Sequence, residues 1–569
     1  MLLTFLFSLL YFSPMYIRIK TTPNSPRKSV QIVESVREGE KVRQKIVRYV
    51  GIAMDDDELK RMLDLAEHIK AKLEAEGPQL SLFTPEEAAE IAIKAKQNDD
   101  DKPLHVNLKE LEEEQRVVIG IHEIYGKVYE ELGFKRVFPH PARQETNSHL
   151  LEQMVMARIA NPQSKRASVK MLERDFGISI PLHKIYRMMD TIDEKAITRI
   201  QDAAYHSAMS LLNQKVNILF YDCTTLYFES FSEDDLKQNG YSKDLKFNQP
   251  QVLLALVVTE EGLPLSYDLF PGACFEGHTL IPILKKLRAR YDLQHVIFVG
   301  DRGMLNEDNL QCLEKEGFQY IVGAKLRKAS KDLQEAILQE ERYTLCSDNE
   351  YMQRIATFEE KNNRTLLVSY SAKRAAKDRS DREKAVTKLL KKLSKSKNPK
   401  SLLSNYGYKK YLTIEGNSTL KMEESKLAEE SRWDGLYGVI TNVKEKSAEE
   451  ILSHYRGLWQ IEECFRVSKH DLKIRPIFHW TPDRIKAHVA MAFMALVCVR
   501  HLEYRTALQY EKLSPETIRN ELNHVQLTFL KHRKTGIRYC LPSKVGPHAK
   551  RIYKMMGLKL TTTAFQVSQ

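Results

Sequence analysis

The chain reads as a mixed α/β protein, and three observations carry that class. Short runs of β-branched and aromatic residues, such as VNILFY before Asp222 and HVIFVG before Asp301, stop at polar or glycine residues, as buried strands do. A helical pattern at 277–290 separates four such runs, at 216–221, 226–230, 252–259 and 264–270, from a fifth at 295–300, as in a mixed sheet with flanking helices. At 569 residues, the chain is long enough for several domain-sized units.

From the N-terminus, YIRIK (16–20), SVQIVESVR (29–37) and KVRQKIVRYVG (41–51) alternate as strands, and Glu38, Gly39 and Glu40 turn the last two into a hairpin. A helix over 57–74 completes a small β unit at 15–95. The apolar start, residues 1–14, resembles a signal-peptide core but lacks a basic leader, and Met15 opens the first patterned strand. Residues 1–14 are therefore expected to be a non-native start extension. A polar linker at 96–106 follows.

Residues 107–212 read as helical. Within them SKRASVKMLERDFGISIPLHKIYRMMDTI has the outline of a helix-turn-helix, with Pro181 opening a second helix that carries His183, Lys184 and Arg187. Such a helix can enter a major groove, so Lys184 and Arg187 are candidate DNA contacts. Strands at 216–221, 226–230, 252–259, 264–270 and 295–300 define a first core segment, 213–330. An inserted β-rich and helical domain is expected at 331–432, a second core segment at 433–505, and a C-terminal helical region at 506–569. The apolar run 489–499 is too short to span a bilayer and reads as a buried core helix, so no membrane partner is expected.

A formal charge of +12 and a pI near 9.0 favour a polyanionic partner. The stretch 373–400 holds 12 Lys and Arg against 3 Asp and Glu, which suits either a solvated helix or a DNA-backbone contact. Seven scattered cysteines with no Cys-x-x-Cys pair argue against a zinc ribbon or a disulfide framework and for a reducing cytosol.

The segment 447–473 carries Tyr455, Glu462 and Lys469 at seven-residue intervals, and Arg466 four residues past the glutamate. On one continuous helix over 448–470, opened by a Ser447/Glu450 capping box, these side chains share a stripe. One acid among an aromatic and two cations is poor material for a core seam and good material for a metal held against a phosphodiester. Asp222 and Asp301 would lie at strand ends, where open α/β sheets bind ligands. Chemistry alone does not separate Glu462 from Glu463 or Glu229; the spacing with Tyr455 and Lys469 selects Glu462.

The order Asp222, Asp301, Glu462, with Tyr455 before and Lys469 after the glutamate, resembles the DDE transposases of bacterial insertion sequences. Within them it resembles the insertion-sequence-four superfamily, marked by a Tyr, Arg, Glu, Lys signature. GYSKDLKFNQPQVLLALVVTEEGLPLSYDLFPG, DRGMLNEDNL and WQIEECFRVSKHDLKIRPIFHW carry the likeness. The family's arginine corresponds to Leu458, so that role falls vacant or to Arg456 or Arg466. The resemblance implies a ribonuclease H-like core and catalytic, metal-holding roles for Asp222, Asp301 and Glu462. It also implies DNA contacts through Tyr455, Arg456, Arg466, Lys469 and Lys473.

Two Mg²⁺ or Mn²⁺ ions about 4 Å apart would suit such a triad. The resemblance further implies cleavage at the element's ends and joining of the freed 3′-hydroxyl to target DNA. Terminal inverted repeats and target DNA would be the partners, a homodimer the DNA-bound form, and the nucleoid-bearing cytoplasm the location. A structure-specific nuclease and a catalytically dead DNA-binding regulator are the alternatives. A strand-transfer assay separates the first, and metal-dependent nicking the second.

Overall fold

The computed structural model describes residues 16–21, 28–38, 41–53, 55–75, 84, 86–87, 89–91, 105–139, 141–213, 216–229, 232–240, 248–291, 296–304, 306–346, 353–395, 412–415, 419–422 and 424–567. The expected start extension, the 39–40 turn and most of the linker lie outside these residues. The chain divides into two compact units, 1–80 and 81–569.

In the first unit β1 (Tyr16–Thr21), β2 (Lys28–Glu38) and β3 (Lys41–Ala53) form an antiparallel sheet in that order. Helix α1 (Asp56–Ala75) follows, its first turn capped by the Asp55 carboxylate, which accepts from the Glu58 amide at 2.7 Å. Val30, Ile32, Val33, Ala53 and Ala66 are buried. Gly51 lets α1 approach β3, since a Cβ there would meet the Met62 sulfur at 2.8 Å.

The second unit opens with β4 (Leu111–Val118), then helices α2 (Gly120–Glu131), α3 (Pro141–Ala160), α4 (Lys165–Phe176), α5 (Leu182–Met189) and α6 (Glu194–Leu211). Helix α4 stops at Gly177, whose φ of 71° suits a residue without a Cβ. Then come β5 (Ile218–Tyr227), β6 (Gln251–Thr259), β7 (Pro264–Pro271), α7 (Leu280–Arg290), β8 (Ile297–Gly300), α8 (Glu307–Lys315) and β9 (Gln319–Gly323). Strands β5 to β7 pair antiparallel, whereas β5, β8 and β9 pair in parallel through helical crossovers.

After α9 (Lys331–Ile337), strands β10 (Thr344–Leu345), β11 (Gln353–Glu360) and β12 (Arg364–Ser371) lead into α10 (Ala372–Lys395). The hairpin β13 (Leu412–Glu415) and β14 (Thr419–Met422), helix α11 (Glu424–Ser431) and β15 (Leu436–Thr441) follow. Residues 331–432, expected as an inserted domain, do not build a separate sheet from β10 to β12. These strands join β15 and the core strands in one nine-stranded sheet, ordered β10-β11-β12-β15-β9-β8-β5-β6-β7. The reason is pairing: β15 hydrogen-bonds β9 on one edge and β12 on the other, and neither bond is visible in local periodicity.

Three further expectations are corrected. Asp222 does not end a strand, because β5 runs unbroken through it, so the predicted strands 216–221 and 226–230 are one. The helix over 448–470 is α12 (Ala448–Arg456), α13 (Trp459–Arg466) and a π-helical turn (Val467–Asp471). The C-terminal region is only partly helical. After α14 (Pro482–Gln509) and α15 (Pro515–Asn523) come β16 (Gln526–His532), β17 (Arg538–Pro542), α16 (Pro547–Met555) and β18 (Phe565–Val567). These strands form a four-stranded sheet with β4, from the region expected to be helical, through pairings such as Leu527 with Val117.

Helix α14 is long and apolar enough to cross a membrane by length and composition, yet 94% of its apolar window is buried inside the molecule. It is the spine on which α2, α3, α6 and the large sheet pack, and Val489 to Val499 are all buried.

Candidate active site

The two aspartates reach one place because of strand register. In the parallel pair of β5 and β8, Tyr221 stands beside Gly300, the last residue of β8, and the residues that follow them are Asp222 and Asp301. Neighbouring strands lie about 4.8 Å apart, so the two acids leave the ladder side by side. Along β5, Leu219, Tyr221 and Cys223 belong to one core, and Ile218, Phe220 and Leu226 to the other. By this alternation Asp222 faces the second side, where α12 and α13 bury Ile451, Ile461, Cys464 and Phe465. Its carboxylate accepts from the Cys223 amide at 2.7 Å.

Helix α12 begins with the expected capping box, the Ser447 hydroxyl accepting from the Glu450 amide and the Glu450 carboxylate from the Ser447 amide. The break after it comes at Gly457, where a Cβ would meet the Phe220 ring at 2.5 Å. Glycine thus lets the helical segment touch the strand that carries Asp222. From Gly457 to Ile461 the chain closes three-residue turns, with Leu458 donating to the Tyr455 carbonyl at 3.2 Å and Ile461 to Leu458 at 3.1 Å. This tighter winding changes the phase of everything beyond it.

Tyr455 and Glu462 still share one cavity of about 590 Å³, and Asp222 and Asp301 line it as well. Ser371, Lys373, Arg374 and Lys377, where β12 passes into α10, line the same cavity. The Ser371 hydroxyl accepts from the Arg374 amide at 3.4 Å, which marks this as the positive end of α10. Tyr437, Arg456, Leu458, Trp459 and Ile461 complete the lining. Among the described residues, no group of three His, Cys, Asp or Glu side chains is drawn close enough to hold a metal on its own. Mg²⁺ seldom asks for that, since it keeps several waters and takes one or two carboxylates plus substrate phosphates. Hard oxygen donors sharing one cavity fit such an ion.

The tyrosine hydroxyl lies against Gly323 at the end of β9; a Cβ there would meet it at 2.3 Å. Burial, reinforced by the Asp301 charge, pushes the Tyr455 phenol up to about 12, so it remains a hydrogen-bond donor at neutral pH. Glu463, the competing acid, is engaged elsewhere. The Arg466 guanidinium donates to it twice at 2.7 Å and holds its carboxyl below the usual range. Glu462, by contrast, is exposed to the cavity.

The Transposase DDE domain family matches residues 214–498, half of the chain, and the IS1634 family transposase N-terminal domain matches residues 17–81. The chain belongs to the DDE transposases. Among solved structures, the transposase is similar to a piggyBac transposase synaptic complex with hairpin DNA at 8% identity and a TM-score of 0.36, covering 71% of this chain and 76% of that one. A Mos1 transposase paired-end complex with left transposon end gives 13% identity, a TM-score of 0.14 and coverage of 47% and 77%. Scores this low leave the fold to be judged from its own sheet and helices. A comparison with curated proteins gave no match.

The remaining predicted residues of the transposase separate. Arg456 lines the cavity and donates to the Tyr437 hydroxyl at 3.2 Å. Arg466 does not line it, being held by Glu463 and by Asp471 at 3.0 Å. Lys469 also lies outside the lining, because the π-helical turn carries it off the stripe, and its ammonium sits over the Phe465 ring at 5.9 Å. Lys473, in a left-handed conformation with φ 44°, lines a different cavity with Arg116, Arg174 and Arg519. Lys184 and Arg187 are exposed on α5, whose Ile185, Met188 and Met189 are buried.

Sequence reasoning missed Lys373, Arg374, Lys377, Tyr437 and Trp459 as cavity residues. The only signal was the lysine-rich run. It missed Arg500 too. This buried side chain donates to the Gly262 carbonyl at 3.0 Å, to Glu503 at 2.6 Å and to Gln460 at 3.0 Å. It thereby ties α13, two residues before Glu462, to the β6–β7 turn and to α14. Gly262, at φ 81°, leaves room for the clamp, since a Cβ would meet Arg500 at 2.2 Å.

Proposed function

We propose that this transposase cleaves DNA at the ends of its own element and joins the freed 3′-hydroxyl to target DNA. In this reading Asp222, Asp301 and Glu462 are the catalytic carboxylates and the mixed sheet around β5 and β8 is a ribonuclease H-like core. The observation that carries it is the cavity that these three acids line together with the cationic start of α10. The acids suit a divalent cation and the cations a phosphate, and a phosphodiester bridged between them completes both.

The three carboxylates would hold Mg²⁺ or Mn²⁺, two ions by the chemistry of in-line displacement, supplying charge stabilisation of the entering and leaving oxygens. Lys373, Arg374 and Lys377, at the positive end of α10, orient the phosphate's non-bridging oxygens. Tyr455 donates a hydrogen bond beside Asp301. Arg456 takes the place that Leu458 leaves vacant. Terminal repeats and target DNA are the partners, two copies act on two ends, and Lys184, Arg187 and Lys473 contact the DNA backbone or grooves.

Alanine at Asp222, Asp301 or Glu462 is expected to lower cleavage by roughly 10²-fold to 10³-fold or more while retaining DNA binding in a gel shift. Wild-type cleavage after any one of these changes would overturn the assignment. Joining of a precleaved end to plasmid DNA separates a transposase from a nuclease.

A further inference from the structure

Away from the carboxylates, a cavity of about 690 Å³ is lined by α6, by the turn Phe134–Arg136 that follows α2, and by Arg505 of α14. It shares no lining residue with the carboxylate cavity. Helix α6 builds most of it. Arg199, Ala203, His206 and Ser210 recur at three- and four-residue steps and so share one face, while Ile197, Ile200, Ala204 and Ala208 bury the other.

The two acids of this cavity are matched. Arg505 pairs with Glu131 at 2.5 Å and Arg290 with Asp202 at 2.6 Å, the Tyr291 hydroxyl donating to the same Asp202 oxygen at 2.9 Å. That leaves two cations. Arg136 is exposed and has no carboxylate partner among the described residues. Arg199 uses only its Nε, which donates to the Val137 carbonyl at 2.5 Å, so the guanidinium is held against the turn with its terminal N–H groups open. His206, edge-on to Tyr205 and Tyr291, and the exposed Ser210 hydroxyl can donate beside them.

We infer that this cavity binds a phosphate group, carried by a DNA backbone at a point separate from the carboxylates. A guanidinium presents a planar fork that matches two phosphate oxygens, and here two such forks stand with no acid left to neutralise them. Arg199 is held in place before any ligand arrives, so little side-chain freedom is lost on binding. The chain's formal charge of +12 favours a polyanion as the carrier, and the exposure of Arg136, His206 and Ser210 leaves the cavity open to a strand that runs across it. DNA as the carrier rests on the transposase reading above, whereas the preference for phosphate rests on the side chains alone.

The test is the double variant Arg136→Ala/Arg199→Ala. Ser210→Glu is the second variant, since it puts an acid into the cavity and leaves the contact of Arg199 with Val137 in place; thermal unfolding shows that both fold. Two measurements are made on each: metal-free binding of a duplex lacking the element's ends across a range of salt, and the rise in unfolding temperature given by millimolar inorganic phosphate over chloride at equal ionic strength. The logarithmic salt slope is expected to flatten by about 0.9 for each phosphate that is no longer neutralised, and the rise given by phosphate to shrink relative to wild type. Loss of the phosphate effect with a wild-type slope would keep the phosphate site and overturn DNA as its carrier. Variants that match wild type in both measurements would overturn the inference entirely. A wild-type protein that binds no duplex at all would instead sink the underlying reading.

Discussion

In the cavity, Asp222 and Glu462 stand on β5 and α13 and Asp301 directly follows β8; β5 and β8 are almost wholly buried, and α13 buries Ile461, Cys464 and Phe465. Lys373, Arg374 and Lys377, by contrast, stand on α10, a helix exposed along much of its length. The acid wall is backed by α14, most of which is inside the molecule, and is clamped by Arg500. The cationic wall is held by one strand, β12, and by ion pairs such as Arg382 with Asp434. The difference teaches how such a cleft divides its work. Groups that share an ion need positions fixed by packing, whereas groups that meet a flexible polyanion need only charge and reach.

Breaking the acid wall from behind should have the largest effect. Arg500→Met leaves Glu503 buried without its partner, and burial already raises that carboxyl against the opposing pull of Arg500. A loss of about 3–5 kcal/mol in unfolding free energy is expected, read from the denaturant midpoint. A neutral outcome would mean that α13 is held by other contacts, and the contrast between the walls would fail.

Next in size is Tyr455→Phe, which removes the donor beside Asp301. A hydrogen bond of this kind contributes on the order of 1 kcal/mol, so cleavage should slow by about tenfold or somewhat less. The sign of the shift sets the pH behaviour. A phenol raised to about 12 is neutral throughout the range from about pH 7 to 10. The ratio of wild-type to variant rates should therefore be flat across that range, and an inflection near about pH 9 would show that the hydroxyl ionises in the working enzyme.

The smallest change is expected from the exposed wall. Lys373→Ala and Lys377→Ala should weaken DNA binding by a few-fold each and flatten its salt slope by about 0.9 per phosphate, with little effect on unfolding. If either destabilised the fold as much as Arg500→Met, the two walls would not differ in kind.

Much of this was legible in the residues. The strands around Asp222 and Asp301, the α10 helix and the capping box at Ser447 all follow from periodicity and local hydrogen-bond chemistry, which act over a few positions. Less legible were β16 to β18 and β4, because a short strand such as QLTFLKH owes its identity to a partner at the far end of the chain, joined by bonds like that of Leu527 with Val117. The stripe of Tyr455, Glu462 and Lys469 was half right for a related reason. Its spacing assumed one helix, and contact between Gly457 and Phe220 broke it.

By itself the sequence determined the chemistry on offer: three acids, a tyrosine, a lysine-rich helix and the strands and helices that bear them. Only tertiary structure decided which groups meet. Parallel register put Asp222 beside Asp301, a missing Cβ at Gly457 and at Gly323 let Glu462 and Tyr455 close in, and pairing of β12 with β15 brought the start of α10 into the same cavity. It also turned Arg466 and Lys469 away. Side-chain identity is local, but convergence depends on strand pairing and close packing between residues far apart in the chain.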